Sequence, residues 1–568
     1  MIPTGTPGPT RAERRTHAHR RSRAVRGAVL AVAVALLAAA CGGGGSQGGS
    51  ASSSADAGKP VTGGQVVYGL EAETLGGWCL PESTLAISGI MVTRAIYDTL
   101  TTPNADGEFV PYLAQSLEHN ADFTEWTLTV RNGVMFHDGS PLTAQVVKNN
   151  LDAFLGRYPA RKPLLFPFVL KPIETVEAVD ARTVRITTTQ PWPALPAYLY
   201  GGGRLGIMAQ AQLDDPDTCD SKLVGTGPFE LQEWAVNNHL SATRNPNYWA
   251  TDGDGRALPY LDRIEFRPIP DSDARLNAFL SGELDMLHTS AAPAVETLES
   301  EKAAGNIGLV QTLSNTEVSY LMLNASRPPF DSPVARKAVA RALDRDLYQR
   351  VRTLGLFPMA SGPFPPGAPG HLDDAGFPAY DLDEAKKLVA RYEADTGRKF
   401  EFSYVHGADS ESSRGAQFMQ EQFAKAGIKV NLSPVEQATL INTALGTEWD
   451  MIPYRNFPGG VPDGNYVWWY GGSPVNFGKF DDPRINALLD TGRVETDTAK
   501  ATAIYEDVNR EFAKEAYNLW LDWTEWNIAS AKGIGGVMGP PLPDGSRPSE
   551  SLATGHSVAG IWNGSSGS

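Results

Sequence analysis

Trp126-Thr127-Leu128-Thr129-Val130-Arg131-Asn132-Gly133-Val134-Met135-Phe136-His137-Asp138-Gly139-Ser140-Pro141-Leu142-Thr143-Ala144 changes its hydrophobic period midway, and that change points to the fold class. Trp126, Leu128 and Val130 alternate with polar residues, so 125–131 reads as a half-buried strand. Asn132-Gly133 and Asp138-Gly139 are turn signals. Thr143 then stands where it can cap a helix over Ala144–Phe154, whose buried side is Val146, Val147, Leu151 and Phe154. A strand, a turn and a capped helix in succession indicate an α/β chain.

The same mixture recurs on both sides of this unit. Strands are expected at 65–70, 183–189, 263–269, 318–323 and 429–435. Helices are expected at 87–100, 272–281, 332–343, 382–393, 414–426, 485–491 and 498–514. Ser332 caps the third of these helices, with Pro333 in its first turn. Gly and Pro cluster at 355–370, 458–464 and 540–543, which read as loops. The row Trp520, Trp523 and Trp526 reads as core.

The first forty residues are different in kind. Seven arginines crowd 11–26 with Glu13 the only acid, and 28–40 is an unbroken run of Ala, Val and Leu. A basic head, a short apolar run and small residues at its end make a secretory signal peptide, here 1–40. The run is shorter than the ~20 residues that span a bilayer. Leu37-Ala38-Ala39-Ala40-Cys41 follows and resembles a bacterial lipobox, although Ala38 stands three residues before the Cys where Leu is usual. Cys41 is therefore expected to carry a lipid, and the Gly/Ser-rich tract up to residue 60 to act as a tether. The protein is expected outside the cytoplasm, anchored to the outer face of the cell membrane. Cys79 and Cys219 are the remaining cysteines. In an oxidising compartment they fit a disulfide, and two separate buried thiols are the alternative.

Of 568 residues, 49 are Lys or Arg and 65 are Asp or Glu. Without residues 1–40 the net charge is −22. That excludes a nucleic-acid partner, which demands basic patches. No HExxH, Walker A or GxSxG motif is present, and His119, His137, His239, His288, His371, His406 and His556 lack metal-ligand spacing. No metal, cofactor or catalytic residue is expected. Residues 201–206 fit GxGxxG, but the preceding stretch is Pro-rich, so a flexible loop is the better reading. His137-Asp138 reads as a tight turn and not as an acid–base pair.

Several segments, taken in order, resemble the family 5 extracellular solute-binding proteins, which include oligopeptide-, dipeptide- and nickel-binding members. They are the stretch quoted first, Gly225-Thr226-Gly227-Pro228-Phe229, Arg244-Asn245-Pro246-Asn247-Tyr248-Trp249 and Ser281-Gly282-Glu283-Leu284-Asp285. Asn324 with Pro329-Phe330, Val334-Ala335-Arg336-Lys337-Ala338, Leu343-Asp344-Arg345, Ala426-Gly427-Ile428 and Trp449-Asp450 complete the set. The resemblance implies a two-lobed periplasmic-binding-protein-like α/β fold of type II. Lobe I would be 61–270, with 96–178 as an extra subdomain, and lobe II 271–514. Residues 515–568 would return to lobe I and form the C-terminal tail. The lobes would close on a solute about crossings near 270 and 515.

What the resemblance implies about function is a lipid-anchored, monomeric substrate-binding component of an ABC importer. It would capture a small solute, foremost a peptide, and deliver it to permease and ATPase subunits. A metal chelate or a saccharide is the alternative ligand. An anchored hydrolase, or a sensor or adhesion protein on the same fold, are more distant alternatives. The stretch 454–470 is aromatic and Gly-rich, so Arg455, Asn456, Phe457, Asp463 and Trp469 are ligand-binding candidates. Asp463 is its only acid and the best local partner for a peptide ammonium group. Trp78, Asn476 and Phe477 fall at positions that resemble cleft-lining ones.

Overall fold

Glu125–Val130 is a strand and Ala144–Phe154 a helix, and the Thr143 hydroxyl accepts from the Val146 amide at 3.3 Å. The turn between them is held from outside. The His137 amide donates to the Gly225 carbonyl at 2.9 Å, and its ring lies 3.0 Å from the Gly227 carbonyl oxygen. Gly225 must be Gly, because a Cβ there would stand 2.0 Å from the Ile96 carbonyl oxygen. Two distant motifs thus form one packing unit. This computed structural model describes residues 58–74, 76–457 and 459–567. The signal peptide, Cys41 and nearly all of the tether lie outside the described residues.

The chain builds a ten-stranded mixed sheet. From edge to edge the order is Lys429–Val435, Glu401–Gly407, Met451–Asn456, Ile307–Leu323, Asn518–Ala531, Met286–Thr289, Gln65–Leu70, Arg263–Pro268, His239–Arg244 and Phe229–Ala235. A separate four-stranded antiparallel sheet has the order Ala114–His119, Glu125–Val130, Thr183–Thr188 and Ile173–Ala178. This sheet runs past the residue 178 expected for the subdomain. Helices cover the sheets, and Ser332, Asp344, Asp381, Asp409 and Asp497 each accept a hydrogen bond from a first-turn amide of the helix they cap.

Two strands differ from the expectation. The one expected at 318–323 is the 17-residue strand Ile307–Leu323. The tryptophan row lies in the 14-residue strand Asn518–Ala531, and all three indoles are buried. These long strands pair with each other throughout. Ile307–Thr312 face 526–531, Glu317–Met322 face 518–524, and the register shifts between them.

The hydrophobic cores divide at that shift. One side holds Val66, Tyr68, Ile264, Phe266 and Trp526, and a smaller cluster of Phe279, Leu284, Leu287, Leu298 and Leu309 packs against Val67. The other holds Leu321, Phe402, Leu519 and Leu521, with Tyr320, Trp469, Phe512, Trp520 and Trp523 beside them. The Asp285 amide donates to the Val67 carbonyl at 2.9 Å, which ties the segment after residue 270 to the first strand. The break between cores therefore falls at 312–317 and at 524–526, where the sequence reading put crossings near 270 and 515.

Candidate functional site

The strand Met451–Asn456 carries the expected recognition segment to the edge of its own core, and the chain then turns through the short helices Pro462–Asn465 and Tyr466–Trp469. Arg455 reaches across the break between cores. Its guanidinium donates to Ser290 Oγ at 2.6 Å and to both Glu71 oxygens at 3.1 and 3.2 Å. It also lies 4.8 Å over the Trp526 ring and 3.8 Å from Glu317. Burial works against its charge, but Glu71 and Glu317 more than offset this and hold its pKa above the usual arginine value. Burial pushes the Glu317 carboxyl up, even though Arg455 and the Trp526 N–H favour its charged form.

Asp463 sits in a second network between the cores. Its Oδ1 accepts from Arg493 Nε at 2.9 Å and its Oδ2 from Trp192 Nε1 at 3.0 Å. Its backbone carbonyl accepts from the Tyr198 hydroxyl at 2.8 Å, and Arg493 donates to that same hydroxyl oxygen at 3.0 Å. The Arg493 guanidinium lies 3.5 Å over the Tyr466 ring. Asp463 and Arg493 are each 4% exposed. The acid expected to meet a peptide ammonium group thus has both oxygens engaged by the chain itself.

The other expected residues divide by environment. Phe457 packs on the first core and, with Phe364, Gly460, Val461 and Pro462, lines a small apolar pocket. Phe477 packs edge-on against Tyr454 and Trp468. Trp469 is core, donating to Asn465 and packed on Tyr320, Phe512 and Trp520. Asn476 staples its loop by donating to the Phe480 carbonyl at 2.7 Å. Asn456 is buried beside Val318 of the neighbouring strand. Trp78 stands apart from this loop, edge-on to Trp234, in a pocket with Thr74, Ser88, Leu240 and Phe266. Cys79 and Cys219 are joined in a disulfide with a Cα–Cα distance of 5.0 Å.

Sequence reasoning missed Glu71, Arg204 and Glu317. Arg204 ends the turn Gly201–Gly203, where the three glycines take φ of 54°, 62° and 83°. Its Nε donates to the Leu85 carbonyl at 3.0 Å. Burial pushes its pKa down, and the charges of Tyr454, Glu317 and Tyr200 offset part of this. The signal was present in the 201–206 motif, but a short glycine match does not reveal what the next side chain faces. Among the described residues no cluster of His, Cys, Asp and Glu is arranged to hold a metal ion. Among them, too, no helix is long and apolar enough to cross a membrane.

Residues 108–478 match the bacterial extracellular solute-binding proteins, family 5 Middle. The glutathione-binding protein GsiB of Pectobacterium atrosepticum is 25% identical over 464 residues, which cover 79% of this chain and 87% of that protein. The binding protein AgaA of A. tumefacien R10, in complex with agropinic acid, superposes with a TM-score of 0.77 at 26% identity, covering 88% of this chain and 99% of that one. The periplasmic binding protein DppA of Helicobacter pylori, in complex with the peptide STSA, superposes with a TM-score of 0.78 at 23% identity, covering 89% and 99%.

Proposed function

The chain belongs to the family 5 bacterial extracellular solute-binding proteins, and from that premise we propose that it is the substrate-binding component of an ABC importer, capturing a small peptide or peptide-like solute between two lobes. The observation that carries this reading is the charged cluster at the break between cores. Arg455 from one side meets Glu71 and Ser290 from the other. A site built half on each lobe is completed only when the lobes meet. A solute that touches both halves therefore favours the closed state and shifts its population. The lobes would cross at the long strands, whose pairing shifts register between Thr312 and Glu317. The permease and ATPase subunits would then read the closed form, with Cys41 holding the protein to the membrane by its lipid.

This is a binding role and not a catalytic one. A second reading, a non-peptide carboxylate solute, is favoured by one observation: Asp463 is already saturated by Arg493 and Trp192. A thermal-shift screen against peptides, opines, saccharides and metal chelates separates the readings, because a cleft ligand at 100 times its Kd stabilises by ~2.7 kcal/mol. A rise with peptides alone supports the first. A rise only with saccharides or chelates would sink it.

A further inference from the structure

We propose that residues 353–360 form a strap between the two lobes, with Phe357 as a plug that seats on lobe I when the lobes close and leaves it when they part. Here lobe I is the side of the break that holds Val66 and Tyr68, and lobe II the side that holds Leu521 and Trp523. The inference rests on the two-lobe reading and adds to it a device that sets how readily the lobes close on a solute.

The strap is rooted on lobe II. The Trp523 amide donates to the Pro358 carbonyl at 2.8 Å, the Ala360 amide donates to the Leu521 carbonyl at 3.2 Å, and Met359 pairs with Asp522. Arg345 donates to the Ala360 carbonyl, and Ala360 and Phe364 are buried in the core that contains Trp520 and Trp523. Just before this root the chain reverses. Leu354 and Gly355 take φ of 55° and 76°, and the Gly355 amide donates to the Gln349 carbonyl at 2.9 Å. A left-handed residue with a Cβ is strained, and such strain persists only where the surrounding structure imposes it. Leu354 is 42% exposed, so the packing of its own side chain does not offset the strain. What the reversal achieves is the placement of Phe357.

Phe357 crosses the break. The next residue, Pro358, is exposed, yet Phe357 is 4% exposed. Its cover comes from Ala292 and Val295 of the helix Ala292–Ala303, and the three form a small cluster of their own. That helix belongs to lobe I, because its Leu298 packs with Phe279, Leu284 and Leu309. An alanine at the first helical position leaves room for a phenyl ring. The same turn takes a second contact from lobe II: Ser290, two residues before Ala292, accepts from Arg455 at 2.6 Å. Two separate elements of lobe II, the strap and the strand Met451–Asn456, thus converge on one turn of lobe I. A contact built half on each lobe is complete only in the closed state. Burying a phenyl ring shifts that equilibrium by about tenfold or more.

The test reads the seating with a thiol. In the full chain carrying Ala292→Cys and Cys41→Ser the introduced thiol is the only free one, because Cys79 and Cys219 are joined. Its rate of reaction with a maleimide reports how often Phe357 leaves its seat. Phe357→Ala should raise that rate about tenfold or more, and Phe357→Leu much less. Loosening the lobes at a distance should raise it too. Trp192→Phe removes one hydrogen bond to Asp463 and should give about threefold, and Arg493→Met should give more. A rate that Trp192→Phe and Arg493→Met leave unchanged makes Phe357 a fixed part of the fold and overturns the proposal; Trp192→Phe decides alone if Arg493→Met does not fold. Calorimetry with glutathione and the peptide STSA gives a second readout. Phe357→Ala should weaken each probe that binds by the same factor, about tenfold, because the strap acts on closure and not on the solute. Ala292→Phe, which fills the seat from lobe I, should do the same. A loss confined to one probe makes Phe357 a solute contact, and no loss for any probe that binds frees closure from the strap; either result overturns the proposal. If neither probe binds while the thiol follows Trp192→Phe, the strap stands and the peptide reading fails. If the probes bind and neither readout responds, solute capture stands and only the strap is removed.

Discussion

Two arginines, Arg493 and Arg204, differ in how far the protein itself engages them. Around the first, both Asp463 carboxylate oxygens, its backbone carbonyl and the Tyr198 hydroxyl are all engaged within the protein. The second has one hydrogen bond among the described residues. The saturated site has nothing left to offer a solute and acts as a latch, since Trp192 and Tyr198 lie on the far side of the break from Asp463 and Arg493.

Breaking the latch should have the largest effect. Arg493→Met leaves the Asp463 carboxylate buried and uncompensated, which costs about 3–5 kcal/mol. Urea unfolding should show this loss, while Arg204→Met shows none. A loss below 1 kcal/mol would mean that water reaches Asp463 and that the contrast between the two sites is not one of saturation.

The disulfide sharpens the contrast differently, because both of its cysteines pack in the first core. Replacing Cys79 and Cys219 by Ser should cost ~2–4 kcal/mol by freeing a long loop in the unfolded chain. Solute affinity should be unchanged, and a changed affinity would show that the bridge shapes the cleft.

A third prediction concerns the crossing itself. Burial is the main cause that pushes the Asp522 carboxyl up to about 6, against hydrogen bonds from Tyr348, Thr524 and Ser319 and the charge of Arg455. Its ordinary value is 3.8, so between about pH 4 and pH 6 the folded protein holds a proton that the unfolded chain has released. The contribution of this group to stability therefore falls as pH rises through that window and is flat above it. Two pKa units correspond to no more than about 3 kcal/mol. Subtracting the pH profile of Asp522→Asn from that of the wild type isolates the effect, and a flat difference curve would show that Asp522 is ionised throughout.

The smallest effect is expected at Gly202→Ala. A left-handed residue with a Cβ costs ~1–2 kcal/mol, and this Cβ also displaces the Arg204 guanidinium. The melting temperature should fall by no more than a few degrees. An unchanged melting temperature would show that the glycine turn accommodates a side chain without strain.

The same division between local and distant causes explains what was legible in the sequence. The cap at Thr143, the cap and Pro at Ser332–Pro333 and the turn at Asp138-Gly139 act within a few residues, so they were readable and the structure has them. The family and its α/β fold were readable because their motifs are packing units of this kind. The first half of the strand Ile307–Leu323 was not. Gln311 and Thr312 lack an apolar alternation, and their strand conformation comes from pairing with 526–531, some 215 residues away. Arg455 and the aromatic stretch around it were singled out as ligand-binding candidates, and the structure places Arg455 against Glu71, Ser290 and the Trp526 ring. The meaning of Asp463 was not legible, because its partners Trp192 and Arg493 lie 271 and 30 residues away. Arg204 was hidden for the same reason, inside a glycine run whose purpose depends on what it faces.

Small-angle scattering of the protein with and without saturating ligand tests the central claim most directly. If a solute is held between lobes that close about the long strands, the radius of gyration falls on saturation, and ligand-free Arg493→Met is larger than ligand-free wild type. An identical radius in the free and saturated states, with binding verified by calorimetry on the same sample, would contradict the account.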